Sequence, residues 1–223
     1  MKNLKIVISL VIMYVISMFL VSPVSAATGN AYIHYYHQPG YIDRTPTYTN
    51  SKPHLSNMGY TVYGYDHAGT YNALNQLNSG VIFVVHNHGA PGIQYMGTGN
   101  EGISAANGTN LVNVNASTLP FFNTKLAILY GCNTGTVTSL SGDLPQSIVN
   151  KGAKVAVAWT VNTNITAVNE WNRLFFEKAA TGASVVESFR HADYWTAAIL
   201  GTSYSDPLQY NRVEKGNINI SIN

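Results

Sequence analysis

Short apolar runs separated by polar loops are the main pattern along this chain. Three of the runs, VIFVV (81–85), LAILYG (126–131) and AKVAVAW (153–159), lack regular alternation of polar and apolar residues. Such runs are typical of strands buried on both faces of a parallel sheet. Two further strands are predicted at 31–36 (AYIHYY) and 60–65 (YTVYGY).

Helical periodicity and capping signals alternate with these strands. Four helices are predicted. The first, 70–78, has apolar residues at helical spacing, and the second, 143–151, is capped by Asp143 and ended by Gly152. A longer helix is predicted around 168–179 and ends before Gly182, and the fourth begins at the capping-box pair Ser184 and Glu187. Strands that alternate with helices predict an α/β sandwich, in which helices cover both faces of a mostly parallel sheet.

The remaining segments carry weaker signals. The Pro- and Thr-rich stretch 39–53 predicts a loop, followed by a short helix at 54–58. The Gly-rich segment from Pro91 to about Gly108 predicts a small hairpin, and 115–125 predicts a short helix or turn. A last strand is predicted at 217–222 (NINISI), after an irregular stretch.

The first 26 residues have the pattern of a secretory signal peptide. Two lysines precede an apolar run at 6–21, and small residues lead to Ala26. We expect cleavage after Ala26 and secretion from a bacterial cell, with an uncleaved membrane anchor as the alternative. Cleavage leaves 27–223 as a single domain, whose first part, 27–58, is rich in tyrosine.

Charge and composition narrow the class of protein. The chain has 12 basic and 10 acidic residues, and two of the lysines lie in the predicted signal peptide, so the remainder has no net charge. Nothing in this balance favours binding to nucleic acid or, after cleavage, to a membrane. With 46% hydrophobic residues the chain is not of the disordered class. The oligomeric state stays open.

A histidine and the sole cysteine follow two of the predicted strands. His88 comes after 81–85, with Gly89 behind it, and Cys132 comes directly after 126–131. The carboxyl ends of parallel strands meet at one edge of a sheet, and neighbouring strands are about 4.8 Å apart. A thiol and an imidazole at this edge would form a nucleophile with its acid/base partner.

Other roles for these residues remain open at this point. A strand-end cysteine often serves only packing, and a histidine often hydrogen-bonds a loop carbonyl. His86 and His88 also form a His-x-His pair that is compatible with zinc, but the further clustered ligands of a zinc site do not follow. His86 is therefore expected to be structural, and no metal is predicted.

The segments VVHNHG and LAILYGCNTG together resemble the caspase-like cysteine peptidases of clan CD, most closely their CHAT and separase-like branch. The likeness continues through 142–193 and covers about residues 59–195. It implies a three-layer α/β/α sandwich and hydrolysis of peptide bonds in a protein or peptide substrate. Cys132 would be the nucleophile, His88 the general acid/base, and the amides of Gly89 and Cys132 the oxyanion donors. The order of His before Cys differs from papain-like enzymes.

Substrate recognition is less clearly implied by the resemblance. Acidic residues that often follow Trp-x-Val in this branch are replaced here by Asn162, Thr163 and Asn164. Asp143, Trp159 and Asn162 are the weak candidates for substrate binding. No cofactor is predicted, although relatives leave activation by calcium, self-cleavage or a partner open.

Two alternative functions remain. One is a non-catalytic secreted binding module that uses its tyrosine-rich amino-terminal segment, with Tyr32, Tyr35, Tyr36, Tyr41 and Tyr48 as contact residues. The other is a toxin or effector component that acts on one particular protein.

Overall fold

A computed structural model of the chain describes residues 27–37, 43–66, 70–96 and 100–223. The predicted signal peptide, 1–26, lies outside the described residues. The strands are β1 Asn30–Tyr35, β2 Thr61–Asp66, β3 Ile82–His86, β4 Gly89–Ala90, β5 Ile93–Tyr95, β6 Gly102–Ser104, β7 Leu111–Asn113, β8 Leu126–Tyr130, β9 Val155–Trp159 and β10 Arg212–Gly216. The helices are α1 Thr45–Asn57, α2 Thr70–Ser79, α3 Leu144–Asn150, α4 Ile165–Ala179, α5 Val185–Leu200 and α6 Thr202–Tyr210.

The main sheet has six strands in the order β10-β9-β8-β3-β1-β2. The five strands from β9 to β2 pair in parallel, and β10 is antiparallel at one edge. Every residue of β3, β8 and β9 is buried, because successive side chains point to opposite covered faces. This confirms the predicted α/β sandwich with a mostly parallel sheet.

Helices cover both faces of this sheet. Apolar residues of α1, α4 and α5 pack on one face, against Ile82, Val84, Ile128 and Val157. Helices α2 and α3 pack on the other face, together with the small sheet β4-β5-β6-β7. This small sheet is larger than the hairpin that the sequence predicted. Among the described residues, no helix has the length and apolar character needed to cross a bilayer.

Helix α1 corrects the prediction of a loop over 39–53. The helix begins at Thr45 and includes Pro46 in its first turn and Pro53 in its interior. Pro46 suits a helix start because the first N–H groups of a helix have no partner within it. Pro53 is tolerated because the helix is fixed by packing, with Leu55 completely buried against the sheet.

The carboxyl-terminal segment contains two further corrections. The stretch predicted as irregular includes helix α6, and the last strand is β10 rather than 217–222. The carbonyl groups of Ile218 and Ile220 instead accept hydrogen bonds from the N–H groups of Val186 and Val185, at 2.9 and 2.8 Å. The segment thereby supplies hydrogen-bond acceptors to the first turn of α5, whose N–H groups have no partner within the helix.

His34, on β1, makes the stability of the fold depend on pH. Its ring is buried, and Nε2 lies 2.5 Å from the Gln76 side-chain oxygen. Burial lowers the pKa of His34 from 6.5 to about 4, which the hydrogen bond to Gln76 only partly offsets. The unfolded chain therefore binds more protons than the fold between these values, and stability is lost as the pH falls below 6.5.

We expect the free energy of unfolding to fall by about 2 kcal/mol between pH 7 and pH 5 through His34 alone. His34→Phe keeps an aromatic ring at this position but cannot titrate. Urea unfolding gives the free energy of unfolding of both proteins at the two pH values. The change with pH in the variant is subtracted from that in wild type, which removes the contributions of the other titrating groups. An identical loss of stability in wild type and variant would contradict the assignment.

Candidate active site

The chain segments that carry His88 and Cys132 lie side by side. Strands β3 and β8 are direct neighbours, and their last residues, His86 and Tyr130, lie opposite each other. His88 and Cys132 each come two residues after these strand ends. The contact continues beyond the strands, since a Cβ placed on Gly89 would lie 2.7 Å from the Gly131 Cα. The structure thus brings the two predicted residues to one edge of the sheet.

The loop after Cys132 is held by backbone and side-chain hydrogen bonds. Cys132 itself is partly exposed and forms no disulfide. Asn133 adopts a left-handed conformation with φ of 58°. Its N–H donates to the Val161 carbonyl at 3.0 Å, and its side-chain amide donates to Asn162 Oδ1 at 2.9 Å. These bonds tie the loop of the cysteine to the loop after β9.

His88 is the exposed member of the His-x-His pair. Its N–H donates to the Asn87 side-chain oxygen at 2.7 Å, and its ring meets the Tyr36 ring edge-on at 5.6 Å between centroids. Partial burial of the ring lowers the pKa of His88 below 6.5, and the positive charge of Arg44 lowers it further. His88 is therefore largely neutral at pH 7 and able to accept a proton.

His86 has a structural position, as the sequence predicted. Its ring is 1% exposed and packs against Tyr130. The Thr47 hydroxyl donates its proton to Asn169 Oδ1 at 2.8 Å. It also lies 2.5 Å from His86 Nδ1, and because its own proton is already used, it accepts a hydrogen bond from the His86 ring. Burial lowers the pKa of His86 well below 6.5, with further contributions from Arg44 and His88. His86 thus joins β3 to helices α1 and α4 as a neutral ring.

Arg44 is a site residue that sequence reasoning missed. It is the N-cap residue of α1, and its side chain is only 7% exposed. The guanidinium carbon lies 5.6 Å from the Tyr36 ring centroid, and its charge interacts with Cys132 and His88. Pro46, in the first turn, is the sequence signal from which the helix start beside Arg44 can be recognised.

The backbone N–H of Gly89 is not bonded to the neighbouring strand β5. Gly89 lies opposite Gln94 in the antiparallel pair of β4 and β5. The Tyr95 N–H donates to the His88 carbonyl at 3.1 Å, which makes Gly89 and Gln94 a non-hydrogen-bonded pair. The Gly89 N–H is therefore not used by β5.

The three weak candidates for substrate binding have different surroundings. Asn162 is exposed and touches Asn133, so it lies on the rim next to Cys132. The prediction that Trp159 contacts the substrate is corrected, because its side chain is completely buried. It stacks on Tyr130 and donates to the Leu208 carbonyl at 2.7 Å. As a core residue, it presents no surface to a substrate.

Asp143 is engaged within the fold. One carboxylate oxygen accepts from the Gln146 N–H at 3.0 Å, which confirms the predicted helix cap, and the other lies 3.1 Å from the Lys215 ammonium. Both oxygens therefore have partners, and the charge is balanced by Lys215.

The amino-terminal tyrosines pack largely against other residues of the fold. Tyr32 stacks on Tyr63 at 5.4 Å, and Tyr35 stacks on Tyr48 at 5.7 Å between centroids. Tyr36 is buried. Tyr41 lies outside the described residues. Across the described parts of the chain, no three His, Cys, Asp or Glu side chains cluster as metal ligands.

Comparison with known proteins identifies the architecture. No protein-family model and no curated protein matches the chain. The Arg-specific cysteine proteinase gingipain R (RgpB) matches 89% of this chain and 48% of its own, with a TM-score of 0.60 and 13% identity. The complex of RgpB pro- and mature domains from Porphyromonas gingivalis matches 89% of this chain and 49% of that chain, with a TM-score of 0.63 and 13% identity. The Saccharomyces cerevisiae separase–securin complex matches 90% of this chain and 13% of that chain, with a TM-score of 0.51 and 12% identity.

The fold is caspase-like. This confirms the architecture that the resemblance of VVHNHG and LAILYGCNTG implied. The chain spans about half the length of the gingipain chains that it matches and about an eighth of the separase chain. At 12–13% identity, the likeness establishes the caspase-like fold and not the reaction.

Proposed function

We propose that this chain is a secreted cysteine endopeptidase that hydrolyses peptide bonds through Cys132 and His88. The observation that carries the proposal is the adjacency of β3 and β8, which places both residues two positions beyond paired strand ends. The caspase-like fold and the partial exposure of the thiol support it. A buried thiol would have favoured a packing role instead.

The proposed reaction has two stages. His88 takes the Cys132 proton while the sulfur forms a bond to the scissile carbonyl carbon, and the charge on the carbonyl oxygen is stabilised by the Gly89 and Cys132 N–H groups. The carbon–nitrogen bond then breaks, and His88 protonates the leaving amine. In the second stage water attacks the thioester carbon, and His88 takes a proton from the water. The carbon–sulfur bond then breaks, the carboxylic acid product leaves, and His88 returns the proton to the Cys132 sulfur.

The pattern of the first 26 residues supports export, since two lysines, an apolar run and small residues up to Ala26 have the order of a secretory signal. We propose cleavage after Ala26 and a bacterial extracellular location. Amino-terminal sequencing of protein from the culture medium tests this, and a chain that begins at Met1 in the membrane fraction would contradict it.

A peptide that carries an acyloxymethyl ketone tests the dyad. Wild type is expected to bind the probe covalently, while Cys132→Ala is not labelled and His88→Ala is labelled at a much lower rate. Intact-protein mass spectrometry measures the adduct. Equal labelling of wild type and His88→Ala would remove the histidine from the mechanism, and labelling of Cys132→Ala would remove the cysteine.

The pH dependence of hydrolysis provides a further prediction. Because the pKa of His88 is lowered by burial and by Arg44, the acid limb of kcat/KM in wild type is expected below pH 6.5. Arg44→Gln removes a positive charge beside the ring, which moves that limb toward higher pH. A limb that stays in place in Arg44→Gln would contradict this assignment.

A further inference from the structure

Exposed aromatic side chains are concentrated on the last two helices. Of the nine large apolar side chains that are exposed in the described residues, five lie on α5 and α6: Tyr194, Trp195, Ile199, Tyr204 and Tyr210. Tyr194 and Tyr210, which are 67% and 74% exposed, line one cavity between these helices. Apolar groups that gather at one place on a surface mark a binding site, whereas single scattered ones do not.

The shape of this cavity is set by the junction of α5 and α6. Gly201 is the single residue between the helices, and its φ of 94° is a conformation that favours glycine. Asp193 lines the cavity and is fixed by hydrogen bonds from Trp171 Nε1 at 2.7 Å and from the Arg212 guanidinium at 2.8 Å. The cavity volume of about 320 Å³ lies at the lower end of the range of small-molecule sites, roughly 300–1,000 Å³.

The charges around the cavity balance one another. Arg190 and Asp206 contribute one charge of each sign. The carboxylate of Asp193 is neutralised by its ion pair with Arg212. An anionic ligand would be attracted by an excess of basic side chains, and a cationic ligand by an excess of acidic ones. The balance therefore favours an uncharged ligand.

The polar side chains of the cavity can bind hydroxyl groups. In the part of the chain that the structure describes, the side chains of Tyr194, Gln209 and Tyr210 have no hydrogen-bond partner. Asp206 has only a long contact of 3.5 Å from the Ser205 hydroxyl. A carboxylate accepts hydrogen bonds, whereas an amide or a phenol can both donate and accept. The cavity thus joins aromatic surface to groups that match hydroxyls of either polarity.

A peptide matches this cavity less well than a sugar does. Strand addition needs an exposed sheet edge, and both walls here are helices, whose backbone groups bond within the helix. Helix docking needs an apolar groove, whereas Asp193, Ser205 and Gln209 line this one. A pyranose ring has C–H groups on its faces, which pack on aromatic rings, and hydroxyls at its edge, which bond polar side chains.

We propose that the cavity between α5 and α6 binds an uncharged saccharide chain. Tyr194 and Tyr210 pack against the sugar rings, and Asp206 and Gln209 form hydrogen bonds with the hydroxyls. The cavity includes neither Cys132 nor His88, so this inference goes beyond the proposed peptidase function and does not depend on it. The site would attach the protein to a polysaccharide.

Isothermal titration calorimetry of the full chain with cellohexaose, maltohexaose and N-acetylchitohexaose tests the site. At least one of these uncharged oligosaccharides is expected to bind. Tyr194→Ala and Tyr210→Ala are each expected to weaken its binding about 10-fold or more, because each variant removes an aromatic contact surface. Tyr210→Phe keeps the ring and is expected to bind nearly as tightly as wild type. No binding of any of the three at millimolar concentration would overturn the proposal.

Two controls separate a specific site from general stickiness of the surface. Phe122→Ala also removes an exposed aromatic ring, but this ring lies beside Gly152, next to α3 and on the opposite face of the sheet from α5. It is expected to keep the wild-type affinity. Affinity is also expected to stay the same between about 0.05 M and about 0.5 M salt, because the ligand carries no charge. Wild-type affinity in the double variant Tyr194→Ala/Tyr210→Ala would overturn the site, as would binding that is lost at high salt.

Discussion

Replacement of His88 by alanine is expected to lower kcat/KM for peptide hydrolysis by about 10²- to 10⁴-fold. The reason is that His88 is the exposed, neutral ring at the edge shared with Cys132, where it can take the thiol proton and return it to the leaving amine. Because its side chain lies at the surface, we expect the melting temperature to change little.

His86→Ala is the matched comparison, since it removes the other ring of the same His-x-His pair. This ring is buried against Tyr130 and is bonded to Thr47. Its removal is expected to lower stability by about 3 kcal/mol, through the cavity and the lost hydrogen bond. Activity per folded molecule is expected to fall far less than in His88→Ala. Loss of turnover in His86→Ala, with normal turnover in His88→Ala, would reverse the assignment.

Substitution of Gly89 by alanine is the second change with a large expected effect. The new Cβ would lie 2.7 Å from the Gly131 Cα and carbonyl carbon, and it would also contact Thr134 Oγ1. Backbone atoms cannot rotate away, so the ends of β3 and β8 must separate. Displacement of catalytic groups by about 1 Å is enough for a roughly 100-fold loss of kcat. We also expect a loss of stability of about 1–3 kcal/mol.

Gly64→Ala provides the control for Gly89→Ala. Its Cβ would also approach another group closely, at 2.7 Å from the Tyr48 ring, but this lies at β2, on the opposite edge of the sheet from β10 and away from the cysteine. It is expected to reduce stability without changing kcat/KM for the folded protein. Equal activity of Gly89→Ala and wild type would show that the close approach at Gly89 has no catalytic importance.

The central strands could be predicted from sequence because their environment is simple. β3, β8 and β9 are buried on both faces, so unbroken apolar residues are sufficient to indicate them. Their parallel order then places whatever follows them at one edge, which is how His88 and Cys132 were recognised as a pair.

Helix α1 could not be located in the same way, because its sequence is polar and contains two prolines. Packing of Leu55 and a hydrogen bond from the Asn172 side-chain amide to the Thr47 carbonyl fix it, and these partners lie far apart along the chain. Arg44 was missed for the same reason, since only the tertiary fold brings the beginning of α1 to Cys132. Trp159 was misassigned because a strand-end position does not reveal whether a side chain points to the core.

A crystal structure of the protein after reaction with a peptidyl acyloxymethyl ketone would show whether Cys132 and His88 act on the same group. We expect a covalent bond from Cys132 Sγ to the inhibitor and a His88 ring nitrogen within hydrogen-bonding reach of the adduct. The inhibitor oxygen should accept from the Gly89 N–H. An adduct with the His88 ring more than about 7 Å away and no loop able to bring it closer would exclude a Cys132–His88 dyad.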